Sequence, residues 1–379
     1  MKPGGAAAGG VRLTDAQRLA WLRLIRSENV GPATFRSLVN HFGTAQAALE
    51  GLPDLSRRGG RSSLRIASAT EAEEELSAAE RIGARFVGLG EPDYPPWLRH
   101  ADQPPPLLAV RGDTRVLARP AIALVGARNA SVAGRKMAAL LARDLGQADF
   151  VIVSGFARGI DAAAHEAALA TGTVAVFAGG VDVVYPREHE GLLGALLDAG
   201  SAVTSEMPIG WEPRARDFPR RNRVIAGMTL GTVVVEAAER SGSLITARLA
   251  LEQNREVMAV PGSPLDPRAE GANRLLKQGA RLVTTAADVI EALAPMLDRE
   301  IAVPPSFADL RMPDEGIEPG EPAETEREKV MEALGPTPIP IDDIVRFTGV
   351  AARHVQVVLL ELDLSGRIER HPGNRVSLR

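Results

Sequence analysis

Cysteine is absent from the 379 residues, which excludes disulfides, zinc-thiolate sites and cysteine-held iron–sulfur clusters and fits a reducing compartment. Aromatic residues make up only 4% of the chain, with three tryptophans and two tyrosines, so any stacking on rings must rely on a handful of positions. No apolar run reaches the roughly 18 to 20 residues needed to span a bilayer, and the start, MKPGGAAAGGVRL, lacks the apolar core of a signal peptide. A disordered tail over residues 1–12, a cytoplasmic location and no membrane partner follow as expectations. Net positive charge is missing as well: 44 Lys and Arg stand against 48 Asp and Glu, a balance of −4. That sum argues against a nucleic-acid partner, but its distribution does not. Acid concentrates beside a linker (Asp298, Glu300, Asp309, Asp314, Glu315, Glu318), whereas Arg214, Arg216, Arg220, Arg221 and Arg223 crowd one short stretch.

Signatures of common catalysis are also lacking. G-x-x-x-x-G-K-[ST] does not occur, which removes a P-loop ATPase, and neither do G-x-S-x-G or H-E-x-x-H. No catalytic residue, cofactor or metal ligand is assigned.

What is present is a regular alternation. Strands near residues 121–125, 150–153, 173–177, 202–205, 232–236, 256–260 and 281–283, most of them separated by helical patterns, predict an α/β fold with a mostly parallel sheet covered on both faces. Ligands in such sheets bind at the carboxyl ends of the strands, near the topological switch point. Upstream, the apolar spacing behind Thr14 predicts a helix, and Gly31-Pro32 predicts a turn that opens a second one. This helix, hairpin, helix pattern suits either a phosphate-binding hairpin or a plain turn in a small bundle. Another helix is expected near residues 70–82. EPDYPPWLRHADQPPPLLAVRG reads as extended connectors, with Tyr94 and Trp97 available as a pocket wall or as staples to the core. Downstream, helices near residues 324–334, 341–347 and 351–364 and two small strands predict a winged helix-turn-helix. Its third helix offers Arg353 and His354 beside Glu361 and Asp363, poor chemistry for a DNA groove, so protein contact or a vestigial role is expected there. The expected domains are 13–84 (helical), 85–296 (the sheet), 297–322 (an acidic, proline-rich linker) and 323–379 (winged helix).

The strand ends carry glycine and arginine. In VGARNASVAG, Gly126 allows close approach, and Arg128 stands where the second glycine of the dinucleotide fingerprint would be, extending a fork toward a phosphate instead. SGFARGIDAAAH repeats the arrangement with Ser154, Gly155, Arg158 and Gly159, while Asp161 reads as a helix-end residue and His165 as a packed one. AGGVDVVYP adds Gly179 and Gly180, with Tyr185 either stacking on a ligand or packed on the core. FPRRNRVIAG places Arg220, Arg221, Asn222 and Arg223 at a helix start, and VVVEAAERSGSLITA ends a strand at Glu236 before an anion cup of Ser241, Gly242, Ser243 and Thr246, for which ordinary capping is the alternative.

In this order these motifs, with SEMP and GANRLLKQGA, closely resemble the DNA-processing protein A (DprA/Smf) family over roughly residues 94–290. The resemblance implies an extended Rossmann-like domain that binds single-stranded DNA, forms a homodimer and helps load RecA recombinase during natural transformation, without being an enzyme. It places the family's glycine-x-arginine loop on Gly126, Ala127 and Arg128 and its second basic position on Arg158, with Phe156 beside it to meet a base. It also implies a variable N-terminal helical domain of helix-hairpin-helix or SAM-like type and an optional winged-helix domain. Two other readings remain. One is a nucleoside-monophosphate phosphoribohydrolase (LOG-type) enzyme that would recruit Arg128 and Glu236, although the P-G-G-x-G-T-x-x-E signature is missing. The other is a transcription factor led by the winged helix.

Overall fold

A computed structural model describes residues 11–61, 63–297, 321–371 and 373–379, so most of the expected tail and most of the expected linker lie outside the described residues. The chain forms two compact units, one containing residues 75–297 and the other residues 11–74 with 321–379.

The N-terminal helices are α1 (Asp15–Arg26), α2 (Pro32–Phe42) and α3 (Ala45–Arg58). Thr14 starts α1 with a capping box: its hydroxyl accepts from Gln17 N at 3.2 Å while the Gln17 side chain accepts from Thr14 N at 2.9 Å. Trp21 and Phe35 meet edge to face with centroids 5.1 Å apart, and Leu22, Leu24, Leu38 and Leu52 are fully buried around them. After α4 (Ala69–Arg81) the chain enters the sheet.

The sheet elements are β1 (Ala84–Gly88), β2 (Leu107–Gly112), β3 (Ala121–Val125), α5 (Val132–Gln147), β4 (Val151–Ser154), α6 (Ile160–Ala168), β5 (Thr173–Val176), α7 (Glu190–Asp198), β6 (Ala202–Ser205), α8 (Asp217–Gly227), β7 (Gly231–Val234), α9 (Gly242–Glu252), β8 (Glu256–Ala259), α10 (Glu270–Lys277), β9 (Arg281–Leu282) and α11 (Ala286–Leu297). They form one nine-stranded sheet in the order β1-β2-β6-β5-β4-β3-β7-β8-β9. From β6 to β9 every pairing is parallel, whereas β1 with β2 and β2 with β6 pair antiparallel. Of the two antiparallel strands, β2 falls in the segment read as connectors, and β1 lies just before it, where no strand was expected. Pro104, Pro105 and Pro106 end just before β2 rather than interrupting it, so no ladder N–H is lost, and Leu107–Val110 are buried on both faces, which erases the alternation that marks a half-exposed strand.

Helices cover both faces, as expected. Ala121, Ala123 and Val125 of β3 pack with Val224 and Ile225 of α8 and Ala247 and Ala250 of α9, while Ile122 and Leu124 pack with Leu141 and Leu145 of α5, Ile160 of α6 and Leu293 of α11. From β3 the chain builds outward through β4, β5 and β6, then returns to place β7 on the other side of β3. The switch point therefore lies at the carboxyl ends of β3 and β7. No described helix is long and apolar enough to cross a membrane.

The second unit is completed by α12 (Glu324–Glu332), β10 (Ile339–Pro340), α13 (Ile341–Thr348), α14 (Ala352–Leu364), β11 (Ile368–His371) and β12 (Arg375–Leu378), the strands ordered β10-β12-β11. The third helix of this winged fold, α14, packs on α2 and α3. Asn29 Nδ2 donates to the Leu364 carbonyl and Thr34 Oγ1 to Asp363 Oδ2, both at 2.8 Å, and a Cβ on Gly59 would run into the Glu361 carbonyl. Glu361 is itself held by the Arg327 fork at 3.0 and 3.1 Å. The acidic residues that made α14 a poor DNA reader thus serve a contact within the chain.

Candidate nucleic-acid interface

A cavity of about 750 Å³ opens at the switch point, lined by the turns after β3, β4 and β7 and by one side of α8. Its charged lining is Arg128, Arg221, Arg240 and Arg268 against Asp161, and Phe218 supplies an aromatic wall. Clustered cations with low-dielectric walls raise the local concentration of anions.

The helix starts around the cavity differ in what occupies them. At α5, Glu236 fills the position: its Oε2 accepts from Ser131 N at 2.9 Å, its Oε1 from the Ser131 hydroxyl, and Gly134 leaves room for the carboxylate. At α6, Gly159 has a φ of 78° and packs on the Ala127 carbonyl, which accepts from Ile160 N at 3.2 Å. Asp161 Oδ2 accepts from Gly155 N at 3.1 Å and Ala157 N at 3.2 Å, so it organises the turn after β4. The α9 start remains open. Ser241 caps it, with its hydroxyl 2.7 Å from that of Ser243, and Gly242 is exposed with nothing within 4 Å of its Cβ position. Ser243 N donates to Ser241 Oγ at 3.4 Å and Leu244 N to the Ser241 carbonyl at 3.1 Å, so the exposed Gly242 N–H is the donor this helix start turns outward, beside arginines and at the positive end of the helix dipole, a seat for an anionic oxygen.

Arg128 is exposed, its guanidinium 5.1 Å from the Phe218 centroid. Among the described residues no carboxylate pairs with Arg128 or Arg240. Arg268, by contrast, is bound by Asp266 at 2.8 and 3.0 Å; this bond raises the guanidinium pKa and holds the carboxyl below its usual range. Arg221 is buried, donating to the carbonyls of Gly155 and Val176 (2.8 Å to the latter) and to Asn222 Oδ1 at 3.0 Å. Burial pushes its pKa down to about 10, with Arg128 adding to the drop and Asp161 opposing it, so it stays cationic at neutral pH. Burial raises the Asp161 carboxyl, against the pull of Arg221.

Several expected contacts are corrected by these positions. Ser154 is fully buried, its hydroxyl donating to the Leu124 carbonyl at 2.6 Å, and Phe156 is fully buried against Phe177, His189 and His165, so neither reaches a strand outside. Gly155 makes room for the Arg221 fork, and Gly179 and Gly180 for the 208–213 turn, so these close approaches are between parts of this chain, while Gly126 lines the cavity with its Cβ position against Ile160. Arg220 and Arg223 both bind the buried Glu206, at 2.7 Å for Arg220, and Arg223 also donates to the Gln103 carbonyl. They sit on the side of α8 away from the cavity. Asn222 lines it but donates to the Gly242 carbonyl at 3.4 Å, and Ser243 and Thr246 are buried in its floor. Arg158 is exposed outside the cavity, its fork closed on Glu188 at 2.5 Å for both bonds. His165 is packed as expected, 2.7 Å from Thr173 Oγ1. Tyr94 is a staple, its hydroxyl donating to the Pro105 carbonyl at 2.8 Å.

Sequence reasoning missed Phe218, Arg240 and Arg268. A usable signal existed for the first: Phe218, Arg221, Asn222 and Ile225 share one helical face by their i, i+3, i+4, i+7 spacing, and all four line the cavity. Glu236 was available to the phosphoribohydrolase reading only if free, and it is committed to Ser131.

Comparison with known proteins places the same regions in one family. The model of "DNA recombination-mediator protein A" matches residues 85–294, that of the "DprA-like N-terminal HHH domain" residues 15–78, and that of the "DprA winged helix domain" residues 317–374. Protein Smf of Escherichia coli (strain K12) is 38% identical over 315 residues, 81% of either chain. The X-ray structure of DNA processing protein A from Streptococcus pneumoniae superposes with a TM-score of 0.58 at 31% identity, covering 75% of this chain and 99% of that one. A structure of DNA processing protein A from Helicobacter pylori, described for its single-stranded DNA binding mode, superposes with a TM-score of 0.51 at 27% identity, covering 56% and 96%.

Proposed function

Because the chain belongs to the DprA/Smf family of DNA recombination-mediator proteins, we propose that it binds single-stranded DNA at the switch-point cavity, protects the incoming strand, and acts as a homodimer that passes it to RecA recombinase in transformation. The observation that carries the binding step is the set of cations around the open α9 start: Arg128 and Arg240 without carboxylate partners, Arg268 beside them and Arg221 beneath. A backbone phosphate seats against the Ser241–Ser243 turn and between the arginine forks, which match its geometry. A concave site with an aromatic wall suits one strand with unstacked bases, whereas reading duplex DNA calls for an element that projects into a groove. The recombinase and dimer steps rest on family membership. The chemistry assigned is binding alone, with Asp161 a buried group that positions the turn after β4.

The test is a salt series of oligonucleotide binding by the wild type and by Arg128→Ala and Arg240→Ala. Each variant should bind single strands more weakly and lower the salt slope by about 0.7 for the phosphate contact it loses. Wild-type affinity in both variants would refute the site, and tighter binding to duplex than to single strands would refute the choice of ligand.

A further inference from the structure

The single-strand reading leaves the bases unassigned, and the scarcity of aromatic residues narrows where they can go. Of the two tyrosines, Tyr94 is fully buried. Tyr185 is 51% exposed on the loop between β5 and α7, a large ring left half in water. It is not isolated. Its centroid lies 5.7 Å from that of Phe218, with the planes at 61°, and Phe218 is the cavity wall that carries the Arg128 guanidinium. Arg158, exposed on the turn after β4 with its fork on Glu188, is also close enough to Tyr185 to interact with it electrostatically. One exposed ring is therefore near both the cavity, where a phosphate seats, and a second arginine at the surface.

Resting on the single-strand reading, we propose that Tyr185 is the platform on which a nucleobase stacks as the strand leaves the Arg128 seat toward Arg158. Two properties of the site fit this role. The Phe218 contact braces the tyrosine ring, so little rotamer freedom is lost when a base lies on it. The contact also needs no particular hydrogen-bonding edge, because every base has a π-face, so the platform grips without reading sequence. A merely structural tyrosine would be expected to bury its ring, as Tyr94 does.

The experiment compares two ligands of equal length and charge, an oligothymidylate and its fully abasic sugar–phosphate counterpart, by fluorescence anisotropy with the wild type, Tyr185→Ala, Tyr185→Phe and Arg128→Ala. Removing a stacking ring should weaken binding of the base-bearing strand roughly 5- to 100-fold. Tyr185→Ala should show that loss on oligothymidylate and not on the abasic strand, and Tyr185→Phe should restore most of it. Arg128→Ala should weaken both strands alike. Wild-type binding of oligothymidylate by Tyr185→Ala, or an equal loss on both strands, overturns the platform while leaving the phosphate seat standing. Binding of neither strand by the wild type overturns the single-strand reading and the platform with it.

Discussion

Arg128 and Arg221 line the same cavity, yet the structure assigns them opposite kinds of work, and one pair of substitutions separates them. Arg221 is buried and holds the carbonyls of Gly155 and Val176, at the ends of β4 and β5, together with Asn222 Oδ1. Replacing it with methionine keeps much of the volume and removes every donor. Two buried carbonyls then lose this partner, each at a cost of about 1–3 kcal/mol, and Asp161 loses the cation facing it. With partial relaxation we expect Arg221→Met to destabilise the sheet unit by roughly 3–5 kcal/mol, on the scale known for breaking a buried charge interaction. For a unit of this size each kcal/mol lowers Tm by roughly 2–4 °C, so the melting point should fall by roughly 6–20 °C. Arg128 holds only the face of Phe218 and is exposed, so Arg128→Ala should melt within about 2 °C of the wild type while losing single-strand binding. Differential scanning calorimetry beside anisotropy titrations makes the comparison. A stable Arg221→Met, or an Arg128→Ala that unfolds as readily as Arg221→Met, would refute the division between a positioning arginine and a ligand arginine.

Burial raises the Glu206 carboxyl, but Arg223 and Arg220 outweigh it and hold the group below its usual range, so its stabilising contribution is present above the unfolded carboxylate pKa and lost as pH falls through the folded one. Urea midpoints should therefore separate the wild type from Glu206→Gln at pH 7 and converge in acid; a gap that persists in acid would contradict this. His165 shifts in the same direction for a different reason: burial, with His189 and Arg221 adding to it, lowers its pKa to about 3, so the neutral ring belongs to the fold and stability should decline as pH drops from about 6.5 toward 3. NMR titration should find this imidazole neutral at pH 5, and a midpoint near 6.5 would sink the assignment. Gly59→Val forces a side chain into the Glu361 backbone and should cost the second unit roughly 1–3 kcal/mol by chemical denaturation, yet leave single-strand affinity within about twofold. A large loss of affinity would instead make the winged helix part of the DNA site.

The parallel strands were legible because strands buried on both faces read as apolar runs between helical patterns, but their spatial order, and with it the switch point between β3 and β7, came only with the structure. β2 was not legible, since the prolines just before it look the same in sequence as prolines that would break it, and the short β1 went unread as well. The site was legible as a place more than as a set of residues. Arg128 stood out because it replaces a fingerprint glycine at a strand end. Glycines at the other strand ends give no hint whether a ligand or a neighbouring part of the chain will come close, and at Gly155, Gly179 and Gly180 it is the chain itself.

FPRRNR shows the same limit for charge, and it carries a quantitative consequence. Successive residues of a helix point about 100° apart, so an arginine-dense helix start cannot present all its cations to one ligand. Here Arg221 faces the cavity with Phe218 and Asn222, while Arg220 and Arg223 turn to Glu206. Of the arginines that do face it, Arg221 is committed to backbone carbonyls, and Arg268 would exchange Asp266 for a phosphate. Only Arg128 and Arg240 meet a strand without giving up an internal anion or acceptor. At about −0.7 per neutralised phosphate, the cavity's contribution to the salt slope per protomer should therefore lie nearer −1.4 than the −5 that the whole arginine complement of the motifs would suggest. A slope near −5 from a strand too short to leave the cavity would overturn this division of the arginines.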